Sequence, residues 1–299
     1  DIDLIFETAD QFKEVINRPI KKVPSLQHIT IANIFFEDST RTKISFEVAE
    51  KKLGLHVVHF DESKSSINKG ESLLDTIKTL ESIGINLSVI RHQKTRFYDE
   101  LKGVKMGVVN AGDGIGHHPS QALLDAFTIR KHLSLGKSDL DGLSVAIVGD
   151  VLHSRVARSN VLLLTKLGAH VTLVAPPTLL PVGVESWPVS ISYDFDQALD
   201  SVDAVMMLRI QQERMGELFF PNAREYSRYF GLNTDRLNAL HPGAIVMHPG
   251  PMNRGLEITA ESADSARSVI VEQVANGVSV RMAILYLLLA GDTSIEAGQ

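Results

Sequence analysis

Short runs of β-branched and apolar residues alternate with segments whose apolar positions recur every three or four residues, and the alternation persists along nearly the whole chain. ITIANIFF (29–36) has the look of a buried strand, and 42–53 has helical spacing, with Ile44, Phe46, Val48, Ala49 and Leu53 apolar. Gly54 stands where a helix of that extent needs a C-terminal cap. HVVHF (56–60), NLSVIRH (86–92) and KMGVVNAG (105–112) predict further strands, separated by helices over about 70–83 and 119–132. KHLSLGKSDLDG (131–142) is polar and glycine-punctuated, which predicts a domain boundary. A second alternating set follows at 144–150, 170–176, 204–209 and 244–249. The segment 268–290 reads as one long apolar helix with a single glycine, Gly277. DIDLIFETADQFKEVI already has helical spacing at the first residue with no initiator methionine, so a few residues are expected upstream.

Strand–helix alternation of this kind predicts an α/β fold of two doubly wound parallel-sheet domains. No short internal repeat and no low-complexity tract interrupts it. With 299 residues, 44% hydrophobic and 22% charged, the composition is that of a globular chain long enough for two sizeable cores. Net charge is −6 and no lysine–arginine block occurs, which argues against a general nucleic-acid surface. The chain has no cysteine. That excludes disulfides, a thiolate nucleophile and cysteine-bound zinc, and it fits a reducing compartment, with the cytoplasm as the expected location. No apolar run is read as reaching membrane-spanning length and no basic-then-apolar leader is visible, so no membrane partner is expected.

Ligands of open α/β sheets bind beyond the carboxyl ends of the strands. The residues that follow each expected strand are Asp38-Ser39-Thr40-Arg41-Thr42, Arg91-His92, and Asn110-Ala111-Gly112-Asp113-Gly114 leading to His118 and Gln121. In the second half they are Gly149-Asp150 leading to Arg155, then Arg209-Ile210-Gln211, then His248-Pro249-Gly250-Pro251. Any one of these ends is explained as a solvated loop. Arg41, Arg91, Arg155 and Arg209 together point to an anionic ligand, because surface arginines more commonly decorate helices.

Ser39, Thr40, Arg41 and Thr42 stand between an apolar strand and an amphipathic helix. Hydroxyls and free backbone N–H groups at a helix start attract anions, aided by the helix dipole. The planar fork of Arg41 suits two phosphate oxygens. Simple N-capping by Ser39 or Thr40 is the alternative, but one cap needs one such side chain. A Walker loop is excluded, since its glycines and terminal Gly-Lys-Ser/Thr are missing. SSINKGESLLDT (65–76) carries Ser65 and Lys69 before a helix, a composition that an ordinary loop shares. In GDGIGHHPSQALLD (112–125), two glycines allow a tight path, Pro119 suits a first helical turn, and His118 and Gln121 fall near the helix start. A metal held by Asp113, His117 and His118 would match no standard spacing, so no metal is expected. SVAIVGD followed by a helix and HVTLVAP suggests a dinucleotide fold. Only Gly149 of the three fingerprint glycines is present, and Ala175-Pro176-Pro177 stands where an acidic ribose ligand belongs, so an NAD(P) dehydrogenase is an outside alternative.

FFEDSTRT, SINKGES, VIRH, AGDGIGHHPSQALLD, VGDVLHSR, LRIQQER and HPGPMNRGLEI resemble, in order, the motifs of the aspartate/ornithine carbamoyltransferase family. The resemblance runs from about Phe35 to the last helix. Arg209, Gln211 and Glu213 resemble the aspartate branch. Ornithine enzymes carry His-Cys-Leu-Pro where this chain has His248-Pro249-Gly250-Pro251. The resemblance implies transfer of a carbamoyl group from carbamoyl phosphate to the amine of L-aspartate, in pyrimidine synthesis. Another amino-acid acceptor, or a non-catalytic homologue, is the alternative.

Residue by residue, the resemblance implies that Ser39, Thr40, Arg41 and Thr42 hold the phosphate. Arg91, His118, Gln121 and the backbone of Gly250 and Pro251 would contact the carbamoyl group. Arg155, Arg209 and Gln211 would hold the aspartate carboxylates. It implies a homotrimer in which Ser65 and Lys69 reach a neighbouring subunit's site, with Arg41, Thr42, Lys69, Arg91 and His118 carrying the chemistry. No cofactor is implied, and regulatory chains or a dihydroorotase are further partners of this family. The implied domains are 1–131 for carbamoyl phosphate and 132–267 for aspartate, with the site in the cleft between them and the helix of about 268–299 returning to the first. Two departures stand out. Asn68 occupies a position where the family often has lysine, and Met252-Asn253-Arg254 follows Pro251 where other members place arginine directly.

Overall fold

The computed structural model describes residues 1–16, 26–60, 70–134, 139–200, 202–211 and 222–293. The chain forms two compact units: Asp1–Ser120 together with Ala275–Gln299, and Gln121–Val274.

In the first unit, helix α1 (Ile2–Ile16) precedes strand β1 (Thr30–Phe35), helix α2 (Thr40–Lys52), strand β2 (His56–Phe60), helix α3 (Leu73–Ser82) and strands β3 (Leu87–His92) and β4 (Gly107–Asp113). All strand pairs are parallel, in the order β2-β1-β3-β4. Helices over both faces of a parallel sheet leave its inner strands without a wet side. Accordingly Ile31, Ala32, Ile34, Val89 and Ile90 are all fully buried, while the edge strand β2 is largely exposed. Helix α2 starts two residues earlier than the apolar spacing suggests, so Thr40 and Arg41 form its first turn.

In the second unit, helix α4 (Pro119–Leu133) leads in from the first. Strand β5 (Ser144–Val148), helix α5 (Arg155–Lys166), strands β6 (His170–Val174) and β7 (Ser190–Ser192), helix α6 (Phe195–Ala198) and strand β8 (Ala204–Met207) follow. Helices α7 (Ala223–Phe230) and α8 (Thr234–Ala239), strand β9 (Ile245–Met247) and helix α9 (Ala260–Ala263) complete it. Its parallel sheet has the order β7-β6-β5-β8-β9 over a core that includes Val148, Phe195, Met207, Val246 and Ile258.

Helix α10 (Ile270–Thr293) groups with the first unit from Ala275 onward. Its stretch Ile270–Ala290 is long and apolar enough, at a mean hydropathy of 1.4, to cross a membrane by length and composition alone. No wholly apolar run shows in the sequence because Glu272, Gln273, Asn276 and Arg281 interrupt it. In the structure Asn276 and Arg281 tie the helix to its own chain. Asn276 accepts a hydrogen bond from Lys13 Nζ at 2.6 Å, and Arg281 donates to Ser45 Oγ at 2.9 Å while lying 5.0 Å over the Phe46 ring. Tyr286 meets Phe12 edge-on at 5.6 Å. The apolar face of α10 is therefore core, with Val280, Met282, Ala283 and Leu285 buried.

Glu50 is a carboxyl group set deep in the first unit. Glu50 on α2 is fully buried and accepts a hydrogen bond from Asn33 Nδ2 at 2.8 Å, while Glu50 Oε1 and Asn33 Oδ1 have no hydrogen-bond partner among the described residues. Burial pushes the Glu50 carboxyl up from its ordinary value of 4.5 to about 7; the Asn33 bond and Lys51 oppose the shift and Glu47 adds to it. A carboxyl raised on folding costs stability as pH rises from 4.5 through 7, because the unfolded chain releases its proton first. Glu50→Gln removes that cost and offers Asn33 Oδ1 a donor. The unfolding free energy of the variant should exceed wild type by up to about 3 kcal/mol at pH 8, shrinking toward zero near pH 5. Denaturant melts across that range measure it, and a pH-independent difference would exclude Glu50 as the cause.

Candidate active site

Parallel strands bring all carboxyl ends to one edge of their sheet, and a pocket opens where successive connections leave in opposite directions. In the first unit that point lies between β1 and β3. The segment after β1 is the Ser39–Thr42 cluster, and β3 ends in Arg91 and His92. Ser39 occupies the N-cap position of α2, yet its hydroxyl makes no capping bond, so capping does not account for it. Thr40 and Arg41 are exposed on the first turn, and Thr42 is buried. Thr42 Oγ1 lies 3.4 Å from His118 Nε2. The Arg91 Nε donates to Glu37 Oε2 at 3.1 Å, both side chains being mostly buried. An anion that engages Arg91 there meets Glu37 as a competitor, a residue of the FFEDSTRT motif to which sequence reasoning gives no part in the site.

His118 is delivered by the loop after β4, and that loop is organised around Asp113. A register shift between β3 and β4 places two residues between Asn110 and Asp113 opposite the single residue between Ile90 and His92, which re-aims the strand end. Asp113 is fully buried and accepts from Asn110 Nδ2 at 2.7 Å, from the His117 backbone at 3.0 Å and from the Arg96 backbone at 2.8 Å. Gly114 has φ of 48°, and a Cβ there would lie 2.5 Å from the Gln93 carbonyl. Only glycine fits that turn. Asp113 is thus spent on its own loop, and among the described residues no group of three or more His, Cys, Asp or Glu is arranged to hold a metal ion. One turn into α4, Gln121 Nε2 donates to the buried Asp125 Oδ1 at 2.9 Å. Asp125 also accepts from Gln273 Nε2 at 2.8 Å and Asn160 Nδ2 at 2.9 Å. One of the two Gln121 amide N–H donors is held there.

In the second unit the connections reverse between β5 and β8. Beyond β5, Ser154 caps α5 by accepting from the Ala157 backbone at 3.1 Å, and Arg155, largely buried, opens the helix. Buried Asp150 pairs with His153 Nδ1 at 2.9 Å. Beyond β8, Arg209 is half-buried and Gln211 Nε2 donates to the His153 carbonyl at 3.1 Å. Both segments therefore flank the switch point of this sheet and are joined to each other. Arg158, one turn after Arg155, is engaged elsewhere. Its guanidinium packs over the Trp187 ring at 5.3 Å, and burial lowers its pKa. Beyond β9 come Gly250 and Pro251; Gly250 has φ of 66° and donates its N–H to His248 Nδ1 at 2.8 Å. Arg254 forms a two-bond pair with exposed Asp264, at 2.7 and 2.8 Å, which commits it to helix α9's end. Ser65, Lys69, Asn68 and Glu213 lie outside the described residues.

Sequence reasoning names the cationic and hydroxyl residues at these ends. It gives no part to Glu37, Asp125 or His153 and does not foresee the bond from Asn253 to Ile210, because these partners leave no spacing signal.

Residues 1–131 match the family model described as aspartate/ornithine carbamoyltransferase, carbamoyl-P binding domain, and 141–288 match the Asp/Orn binding domain of that family. A protein of a Nocardioides species named as an aspartate carbamoyltransferase catalytic subunit is 60% identical, over 97% of this chain and 91% of its own length. One of the same name from Streptomyces coelicolor is 59% identical, over 98% of this chain and 92% of its own. Among solved structures, aspartate transcarbamoylase of Trypanosoma cruzi in complex with carbamoyl phosphate and aspartate superposes with a TM-score of 0.83. It is 32% identical, covering 94% of this chain and 91% of that one.

Removing the Asp113 carboxyl strands three N–H groups in the loop that carries His118. Asp113→Ala should lower the unfolding free energy by roughly 2–4 kcal/mol, since each orphaned buried donor costs about 1–3 kcal/mol and part of the loop can relax. Chemical denaturation reads the loss, and a change below about 0.5 kcal/mol would deny Asp113 this organising part.

Proposed function

The chain belongs to the aspartate/ornithine carbamoyltransferase family, and from that premise we infer that it is an aspartate carbamoyltransferase. It transfers the carbamoyl group of carbamoyl phosphate to the amine of L-aspartate, giving N-carbamoyl-L-aspartate and phosphate, a step of pyrimidine synthesis. The observation that carries the residue roles is the approach of Thr42 Oγ1 and His118 Nε2, to 3.4 Å, at the carboxyl edge of the sheet that also ends in Arg91.

Both substrates are anions, so their mutual repulsion must be offset before they can meet. The Ser39–Thr42 segment takes the phosphate: backbone N–H groups at the start of α2, its dipole and the Arg41 fork all favour a doubly charged group. Thr42, Arg91 and His118 donate to the carbamoyl oxygen, and the Gln121 carbonyl oxygen accepts from the carbamoyl NH2. The backbone of Gly250 and Pro251 supplies further contacts. Arg155, Arg209 and Gln211 hold the aspartate carboxylates and aim the amine. The amine attacks the carbonyl carbon and forms the C–N bond. Charge gathers on the carbonyl oxygen, where the three donors hold it; the C–O bond to phosphate then breaks and the nitrogen sheds a proton. Arg41 and Lys69 stabilise the departing phosphate. Glu37, bonded to Arg91 Nε, orients the guanidinium, whose terminal nitrogens can donate to the carbamoyl oxygen.

The family resemblance supports a homotrimer in which Ser65 and Lys69, in the segment that follows β2 in the sequence, complete a neighbour's site. The absence of cysteine fits a cytoplasmic enzyme.

Purified protein supplied with carbamoyl phosphate should turn over aspartate and leave ornithine untouched; turnover of ornithine alone would overturn the acceptor. His118→Ala should lower kcat by about two to three orders of magnitude, the usual cost of one oxyanion donor. For the shared site, Arg41→Ala and Lys69→Ala chains, each inactive alone, should regain activity after mixing and reassembly. Demonstrated subunit exchange with no return of activity would exclude sharing.

A further inference from the structure

Three residues of the second unit, His248, Asn253 and Glu257, form a network that the reaction as described does not use. His248 is buried, and its Nδ1 accepts from the Gly250 N–H at 2.8 Å. The other ring nitrogen therefore carries the hydrogen and donates to Glu257 Oε1 at 3.2 Å. The same oxygen accepts from the Asn253 backbone N–H at 2.5 Å. Glu257 is fully buried and its Oε2 has no hydrogen-bond partner among the described residues. A carboxyl group left half-satisfied in the interior is a standing cost to the fold. Here its effect is to fasten the loop after β9 at two points, Gly250 through His248 and Asn253 directly. Close by lies Tyr226, wholly buried, where a Cβ on Gly149 would stand 3.0 Å from its hydroxyl. Burial, with Glu257 and Asp150 nearby, holds its phenol well above the ordinary range.

The side chain of Asn253 points elsewhere. Its Nδ2 donates to the Ile210 carbonyl at 3.1 Å, and Ile210 is the residue between Arg209 and Gln211. Strands β8 and β9 are neighbours, so the loops beyond them run side by side. The Arg209–Gln211 segment is thus held on one side by Asn253 and on the other by the bond from Gln211 to the His153 carbonyl.

We propose that Asn253, backed by Glu257 and His248, is a positioning residue that sets the spacing between the Gly250–Pro251 backbone and the Arg209–Gln211 segment. This rests on the function inferred above, in which one segment meets the carbamoyl group and the other holds aspartate. Asn253 then aligns the attacking amine with the carbamoyl carbon without touching either substrate. The Met252-Asn253-Arg254 segment supplies the link, and Arg254 is free of that duty because Asp264 holds it.

Asn253→Asp keeps the shape but turns a second oxygen toward the Ile210 carbonyl; Asn253→Ala merely deletes the donor. Both retain the backbone bond to Glu257. In steady-state assays with both substrates varied, Asn253→Asp should raise the aspartate KM and lower kcat, together by about tenfold to a hundredfold in kcat/KM. Asn253→Ala should lose less. The carbamoyl phosphate KM and the melting temperature should stay near wild type in both. A space-filling part predicts the reverse order, so an Asn253→Asp enzyme that equals wild type overturns the proposal. So does a loss that falls equally on both substrates and on the melting temperature. If wild type transfers to neither aspartate nor ornithine, the function inferred above fails, and this assignment with it.

Discussion

Parallel pairing puts the carboxyl end of every strand in a sheet on the same edge, and the order of the strands then decides which of those ends lie together. In both units of this chain the sheet reverses direction once, between β1 and β3 and between β5 and β8. The ends on either side of each reversal carry the arginines and the hydroxyls. No strand needs to be unusual for this to happen. A plain apolar core of Ile31, Ile34, Val89 and Ile90 in one sheet, and of Val148, Val205 and Met207 in the other, holds polar residues at its rim in fixed geometry.

Buried carboxyl groups do the local organising. Asp113 gathers N–H groups from Asn110, Arg96 and His117, and Asp125 gathers the amides of Gln121, Asn160 and Gln273. Glu257 takes an imidazole and a backbone N–H. A carboxylate oxygen with two lone-pair directions can fix several donors at once, which a neutral acceptor does less well. Each such group carries a desolvation cost that its bonds must offset. Asp113 and Asp125 have dense partners. Glu257 and Glu50 each keep an oxygen unpaired, and they mark the places where the fold gives up stability.

Reaction chemistry places the opposite demand on the rim. A chain of net charge −6 that works on two anions must concentrate its cations where they act. At the rim of the first sheet, Arg91 pairs with Glu37. Arg254 pairs with Asp264 and Arg236 with Asp196. Position along the chain does not reveal which carboxylate an arginine meets; the tertiary neighbours do.

The residues themselves determined the strand–helix alternation, the two α/β units and the polar residues at the strand ends. Those features depend on local period and on the residues just beyond each apolar run, and both are written in consecutive positions. The Ser39–Thr42 cluster, Arg91, His118, Arg155 and Arg209 were legible for that reason, and a family resemblance supplied their roles. Tertiary structure alone decided the strand order, and with it which ends meet at each reversal. It also decided that Ser39 does not cap, that Arg91 rests on Glu37 and that Asn253 reaches Ile210. Those bonds join residues 54 and 43 positions apart for the last two. A hydrogen bond across such a separation leaves no period in the sequence, because either partner would look the same with a different neighbour.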